Sequence, residues 1–161
     1  MAAGAFATQL GGPVYGVPQG VVSSSNAGQI AKLLREAQFH RVPVTVRGGG
    51  LTTEGESVAF GGVLLDMTGM SRVINIDSAA LTVRTQAGIF LHGLAEELRR
   101  ENLDYLSAPP NLTSTVGGSL NVGVLDVTPT RLGCCADQAV ALAVLTPSCE
   151  LSHCSSTQNS G

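Results

Sequence analysis

The chain is short of charge and of aromatic rings. Of its 161 residues only 13% are Asp, Glu, Lys or Arg, where about a quarter is usual in globular proteins. Aromatic residues make up 4%, and Trp is absent. Nine Lys and Arg against twelve Asp and Glu leave a net charge of −3, with no basic run. A surface dedicated to nucleic acid is therefore excluded. No apolar stretch approaches the ~20 residues that cross a bilayer. Met1 to Leu10 also lacks the basic start and long apolar core of a secretory signal. These absences predict a cytoplasmic protein without a membrane partner. The four cysteines, Cys134, Cys135, Cys149 and Cys154, form no CxxC and no paired knuckle with histidine, so no metal site is expected. Read on a strand, Cys134 and Cys135 point apart, and all four are expected to be reduced packing residues.

Glycine is what the chain has in excess: 20 of 161 residues, about 12% against a usual ~7%. There is no Gly-X-Y period, and 43% hydrophobic residues in ordered runs argue against disorder. The glycines cluster at Gly48 to Gly50, Gly61 to Gly62 and Gly117 to Gly118, as they do where backbone must approach something closely. The length suits one domain over residues 1–161, with a Gly/Pro/Ala-rich arm at 1–20 lying over the body.

Hydrophobic spacing gives the elements. Val21 to Ser23 reads as a strand. Asn26 with Gln29 three residues on is a capping-box arrangement, and Ile30, Leu33, Leu34 and Ala37 make residues 27–39 an amphipathic helix. Val42, Val44 and Val46 alternate on a strand that ends at Arg47. Val63 to Asp66 is a short apolar strand closed by an acid. Met70 to Asp77 and Leu81 to Ala87 are two more, alternating Val73/Asn75/Asp77 and Leu81/Val83/Thr85 around a turn at Ser78-Ala79-Ala80. Phe90, Leu91, Leu94, Ala95 and Leu98 mark a second helix over 89–101. Strands at Ala139 to Leu145 and Glu150 to Ser155 flank a turn at Pro147. The class is α+β.

Consecutive glycines after a strand, as in Arg47-Gly48-Gly49-Gly50, let several N–H groups converge on an anion without a Cβ in the way. The triplet is neither GxGxxG opening a helix nor a Walker loop, since no helix and no Gly-Lys-Ser/Thr follows. The order of motifs is more specific. Pro43-Val44-Thr45-Val46-Arg47-Gly48-Gly49-Gly50 is followed by Gly61-Gly62-Val63-Leu64-Leu65-Asp66 and Val83-Arg84-Thr85-Gln86-Ala87-Gly88. Thr115-Val116-Gly117-Gly118-Ser119-Leu120 comes next, then Arg131-Leu132-Gly133 with Asp137. The series resembles the FAD-binding (PCMH-type) domain of the vanillyl-alcohol-oxidase flavoprotein family, most nearly its cytokinin-dehydrogenase-like members, over about residues 17–158. The resemblance implies two small α/β subdomains gripping an extended FAD. It places Gly48, Gly49, Gly50, Leu51 and Thr52 on one wall of the cleft, and Thr115, Gly117, Gly118 and Asn121 on the other.

The chain departs from that family where the cofactor would act. Leu51 stands where many members carry the His that bonds the flavin, so covalent attachment there is chemically impossible. Pro110, with Asn111 beside it, stands where the resemblance expects an Asp. Val124 and Leu125, with Asp126, replace a small glycine-rich run and narrow the groove. The sequence ends at Gly161, where members continue into a further flavin-contacting segment and a substrate domain. Together the departures predict a truncated relative that needs no cofactor. It would use the cleft to bind an extended polyketide intermediate and close a ring on it without redox chemistry, by holding a reactive conformer. The alternatives are the FAD-binding half of an FAD-dependent oxidoreductase, holding FAD non-covalently, and a non-catalytic small-molecule binding module. Glu54 and Glu56, at period 2 after the glycine loop, and Asn111 are the candidate catalytic residues. His40 and His92 read as structural, and the small-molecule ligand and a homodimer are the expected partners.

Overall fold

The first half of the chain builds a small parallel sheet. In the computed structural model, which describes residues 6–8, 14–105, 111–123 and 133–158, β1 (Gly20–Ser23) leads through α1 (Ala27–Phe39) to β2 (Val44–Arg47) and then β3 (Val63–Asp66). The strand order is β1-β3-β2, all parallel, so β3 hydrogen-bonds on both edges. Leu64 and Leu65 are fully buried, which is why this strand reads as an unbroken apolar run and not as an alternation. Asp66 turns the chain: its carboxylate accepts from the Thr68 amide at 3.0 Å and the Thr68 hydroxyl at 2.8 Å. Asn26 caps α1 by accepting from the Gln29 amide at 3.0 Å. The return arm of the box is displaced by one residue, for Gln29 Oε1 accepts from the Ser25 amide at 3.3 Å, not from Asn26.

The second half packs a helix on a hairpin. β4 (Val73–Asp77) and β5 (Thr82–Thr85) are antiparallel, and α2 (Leu91–Arg100) lies against β4. Ile89, Leu94 and Leu98 form the buried cluster, with Val73, Ile76, Val83, Leu103, Tyr105 and Val116 around it. Each fully buried leucine contributes about 1.5–3 kcal/mol. The expected alternation Val73/Asn75/Asp77 is corrected here. The register shifts between Val73 and Asn75, and the inward residues become Val73 and Ile76. One extra residue in a strand re-aims everything beyond it. Leu81 is likewise not in β5 but in the turn, exposed and at φ +52. The turn itself is held by the Asp77 carboxylate, which accepts from the amides of Ala79 and Ala80.

The helix α3 (Val116–Val122) was not expected from its sequence. Two glycines in seven residues oppose a helix by propensity. Contacts override that preference: Thr115 caps the helix, and a Cβ at Gly117 would lie 2.8 Å from the Ala87 Cβ. Cys134 and Cys135 do not lie on a strand as expected; Cys135 opens a 3-10 turn (Cys135–Gln138) that Cys134 precedes. β6 (Ala141–Leu145) and β7 (Leu151–Ser155) form a separate antiparallel hairpin whose Leu142, Val144 and Leu151 are exposed, as is Val140 just before it. The halves are joined by Gln86, a buried side chain. Its Oε1 accepts from the Arg72 amide at 3.0 Å and its Nε2 donates to the Ser25 carbonyl at 3.2 Å. The architecture is the expected α+β pair of small units.

Candidate functional site at the glycine loop

The site begins where β2 stops. Past Arg47 the chain runs through residues 48–62 without helix or strand. Among the described residues, the amides of Gly48, Gly49, Gly50 and Leu51 find no protein acceptor. Gly50 is buried and sits at φ +69, a left-handed conformation that glycine adopts without penalty. A buried N–H without a partner is costly, by about 1–3 kcal/mol. A run of them beside a left-handed residue is the arrangement that receives an anion.

The second wall is a segment that runs antiparallel to residues 87–92. Leu91 donates to the Ser114 carbonyl at 2.9 Å and His92 to Leu112 at 3.0 Å; in return Val116 donates to Ile89 at 2.9 Å and Gly117 to Ala87 at 2.7 Å. Gly118 donates to the Thr115 hydroxyl at 3.3 Å. The opening amides of α3 are thus used inside the protein. The donors that remain for a ligand come from the first loop.

The two walls touch. A Cβ on Gly48 would collide with the Thr115 hydroxyl, and one on Gly49 would lie 2.8 Å from the Thr113 carbonyl and 3.5 Å from the Phe90 ring. These glycines are needed for wall-to-wall approach as much as for a ligand. Thr115 is 2% exposed and Ser119 1%, with the Ser119 hydroxyl donating to Ser114 at 3.0 Å. Asn121 is turned back on its own helix, its Nδ2 donating to the Gly117 carbonyl at 2.7 Å.

The remaining sequence candidates are dispersed. Thr52 and Ser57 share a 2.8 Å hydroxyl contact under the loop. Glu54 and Glu56 lie in an exposed bend around Gly55 at φ +100, not on an extended segment that would align them. Glu54 accepts from the Thr53 hydroxyl at 3.3 Å. Asn111 organises a turn: its Oδ1 accepts from the Thr113 amide at 3.0 Å and the Thr113 hydroxyl at 2.6 Å. Val124 and Leu125 lie outside the described residues, as do Pro110 and Asp126.

Sequence reasoning gave no site role to Arg47, Ser57 or Phe90. Arg47 Nη1 donates to the Ser57 carbonyl at 3.3 Å and the Thr8 carbonyl at 2.9 Å, tying both to the end of β2. Burial pushes its guanidinium below the usual arginine value, and the nearby Asp66 carboxylate opposes that shift. A charged residue at a strand end, facing a carboxylate at the end of the paired strand, was the available signal. Phe90 also stacks on His92, centroids 5.4 Å apart. Beside it a concavity of about 480 Å³ is lined by Arg72, Ile89, His92 and Glu96. Another, of about 210 Å³, lies between α1 and the β6–β7 turn, lined by Leu34, Val44, Pro147 and Cys149.

The sequence model of the FAD binding domain family matches residues 18–155. The chain belongs to that family. Its fold is the PCMH-type fold of vanillyl-alcohol-oxidase flavoproteins. The crystal structure of 6-hydroxy-D-nicotine oxidase from Arthrobacter nicotinovorans matches with a TM-score of 0.84, at 24% identity, over 96% of this chain and 34% of that one. In sequence, D-lactate dehydrogenase of Anaerostipes hadrus is 26% identical over 141 residues, 86% of this chain and 30% of that protein. An uncharacterized oxidoreductase of the Rhodococcoides fascians fasciation locus is 32% identical over 156 residues, 94% and 34% respectively. The (R)-6-hydroxynicotine oxidase of Paenarthrobacter nicotinovorans is 28% identical over 138 residues, 86% and 30%. The chain spans about a third of the length of these relatives. Relatives named as oxidoreductases give the expected cofactor-free ring closure on a polyketide no support. No helix among the described residues is long and apolar enough to cross a membrane.

The residues present fit the family's cofactor. A row of amides, unbonded among the described residues and containing a buried left-handed glycine, suits a diphosphate in its chemistry, and no carboxylate among the described residues hydrogen-bonds to it.

Proposed function

We propose that the chain is the FAD-binding portion of an FAD-linked oxidoreductase and that it holds FAD without a covalent bond. The observation that carries this reading is the amide row Gly48, Gly49, Gly50 and Leu51 at the end of β2, unbonded among the described residues. Those amides would receive the diphosphate, with Gly50 fixing their convergence. Thr115 and Thr113 close the loop from behind, so the glycine backbone is braced before any ligand arrives. Leu51 offers no nucleophile for attachment. Bound FAD would supply electron-pair transfer, and the protein's part is to position it and exclude water.

Reconstitution tests both halves of the proposal. The purified chain, incubated with FAD and desalted, is expected to keep a flavin spectrum. Acid precipitation is expected to leave the flavin in the supernatant. A colourless desalted protein would sink FAD binding; flavin pelleting with the protein would sink the non-covalent assignment.

A further inference from the structure

The described part of the N-terminal arm reaches the glycine loop through one side chain. The Arg47 guanidinium lies over Gly50, filling the space a Cβ there would need. From that position its Nη1 donates to the Thr8 carbonyl at 2.9 Å and to the Ser57 carbonyl at 3.3 Å. The Phe6 ring sits with its centroid 5.7 Å from the guanidinium carbon. Ala7 is 1% exposed, and its carbonyl accepts from the Gly16 amide at 3.0 Å. Gly16 in turn lies so close to the far end of the loop that a Cβ would stand 2.6 Å from the Ala59 carbonyl. Residues 6–8 are therefore anchored at both ends of the loop, at Arg47 and near Ala59.

We infer that residues 6–8 are a strap that holds the glycine loop in its anion-accepting shape, with Arg47 as the positioning residue through which the strap acts. This rests on the diphosphate reading above. Gly50 has no Cβ and so populates either sign of φ about equally, which leaves its left-handed conformation to be imposed from outside. The amides converge only while it is imposed. Arg47 imposes it by lying across Gly50, and Thr8 and Ser57 keep Arg47 there. Without the strap the loop has to be ordered at the moment of binding, and affinity falls by that ordering. A lysine cannot substitute: its ammonium could meet both carbonyls, as Nη1 does, but it has no planar group to lie across Gly50 as the guanidinium does.

The test compares four proteins: the whole chain, the chain without residues 1–8, Arg47→Lys, and the two changes together. FAD and riboflavin are titrated by flavin fluorescence, with circular dichroism as the check on folding. The deletion and Arg47→Lys are each expected to raise the FAD Kd about tenfold, the loss of one charge-assisted hydrogen bond. Combined, they are expected to be no worse than the stronger single change. Riboflavin, which has no diphosphate, is expected to bind all four alike. A deletion that shifts the FAD Kd by less than about twofold overturns the strap. So do changes that multiply, which would mean Arg47 meets the diphosphate directly, or an equal loss for riboflavin. Should Arg47→Lys misfold, the deletion and its FAD-against-riboflavin comparison decide alone. A whole chain that takes no FAD fails the reading above and the strap with it; a whole chain that takes FAD regardless of the deletion fails the strap only.

Discussion

Gly48→Ala tests whether the first glycine of the triplet is held by the opposite wall. Gly48 is not among the residues with positive φ, so its backbone conformation tolerates a side chain. The difficulty is space. The new methyl would overlap the Thr115 hydroxyl and lie 3.4 Å from its Cβ and 3.6 Å from its Cγ2. Thr115 is 2% exposed and its hydroxyl caps α3, accepting from Gly118. It can leave only by breaking the cap, at about 1 kcal/mol. If it stays, overpacking costs about 1–3 kcal/mol. A destabilisation of about 3 kcal/mol corresponds to a fall in Tm of roughly 6–12 °C for a chain of this size. Thr115→Ala alone loses the cap and is expected to cost about 1 kcal/mol. The double variant removes the colliding atom, so it is expected to be more stable than Gly48→Ala alone. Urea unfolding followed by circular dichroism measures all three. Strict additivity, or Gly48→Ala within about 0.5 kcal/mol of the parent, would refute the wall-to-wall contact.

Other expectations follow from single contacts. Gln86→Ala strands the Arg72 amide and the Ser25 carbonyl, and is expected to destabilise by about 2–4 kcal/mol in the same unfolding assay. Burial pushes the Tyr105 phenol up to about 12, and its hydroxyl donates to the Leu91 carbonyl. Because the folded value is raised, its stabilisation is complete below the ordinary tyrosine range and fades as pH climbs from there toward about 12. Ultraviolet titration of Tyr105→Phe is expected to lose the most alkaline tyrosinate step. The Asp137 carboxylate is held below its ordinary value by the Cys134 amide, which donates to it at 2.7 Å. Its contribution is present above the usual Asp range and is lost as pH falls below it; the protection of amides across residues 134–138, measured against their intrinsic exchange rates, is expected to fall there.

Much of the fold was readable because its elements obey one period each. β3 announced itself as an apolar run, α1 and α2 by their i, i+3, i+4 spacing, and the two hairpins by alternation around turns. The misses have a common cause in contacts between distant segments. α3 is held by Thr115 and by the close approach of Gly117 to Ala87, neither visible in a seven-residue window rich in glycine. The shift in β4 comes from one unpaired residue, which composition does not record. At the site, the glycine triplet was legible as an anion cradle, whereas the roles of Arg47 and Ser57 were not. They depend on a side chain folding back from a strand end to meet an arm 39 positions earlier. Period-2 spacing wrongly aligned Glu54 with Glu56, because spacing predicts a shared face only on extended backbone.

The strand order also fixes a sequence of events during folding. β1 and β2 flank β3 and have no bonds to each other, so neither can enter the sheet until the chain has been made as far as Asp66. α1 is made of local bonds, but at 13 residues it is marginal alone and gains its stability by packing on the sheet. Closing β1 onto β3 spans some 43 positions, and such non-local parallel pairing is slow. The amide row at the end of β2 therefore acquires its shape late, only once the central strand has arrived.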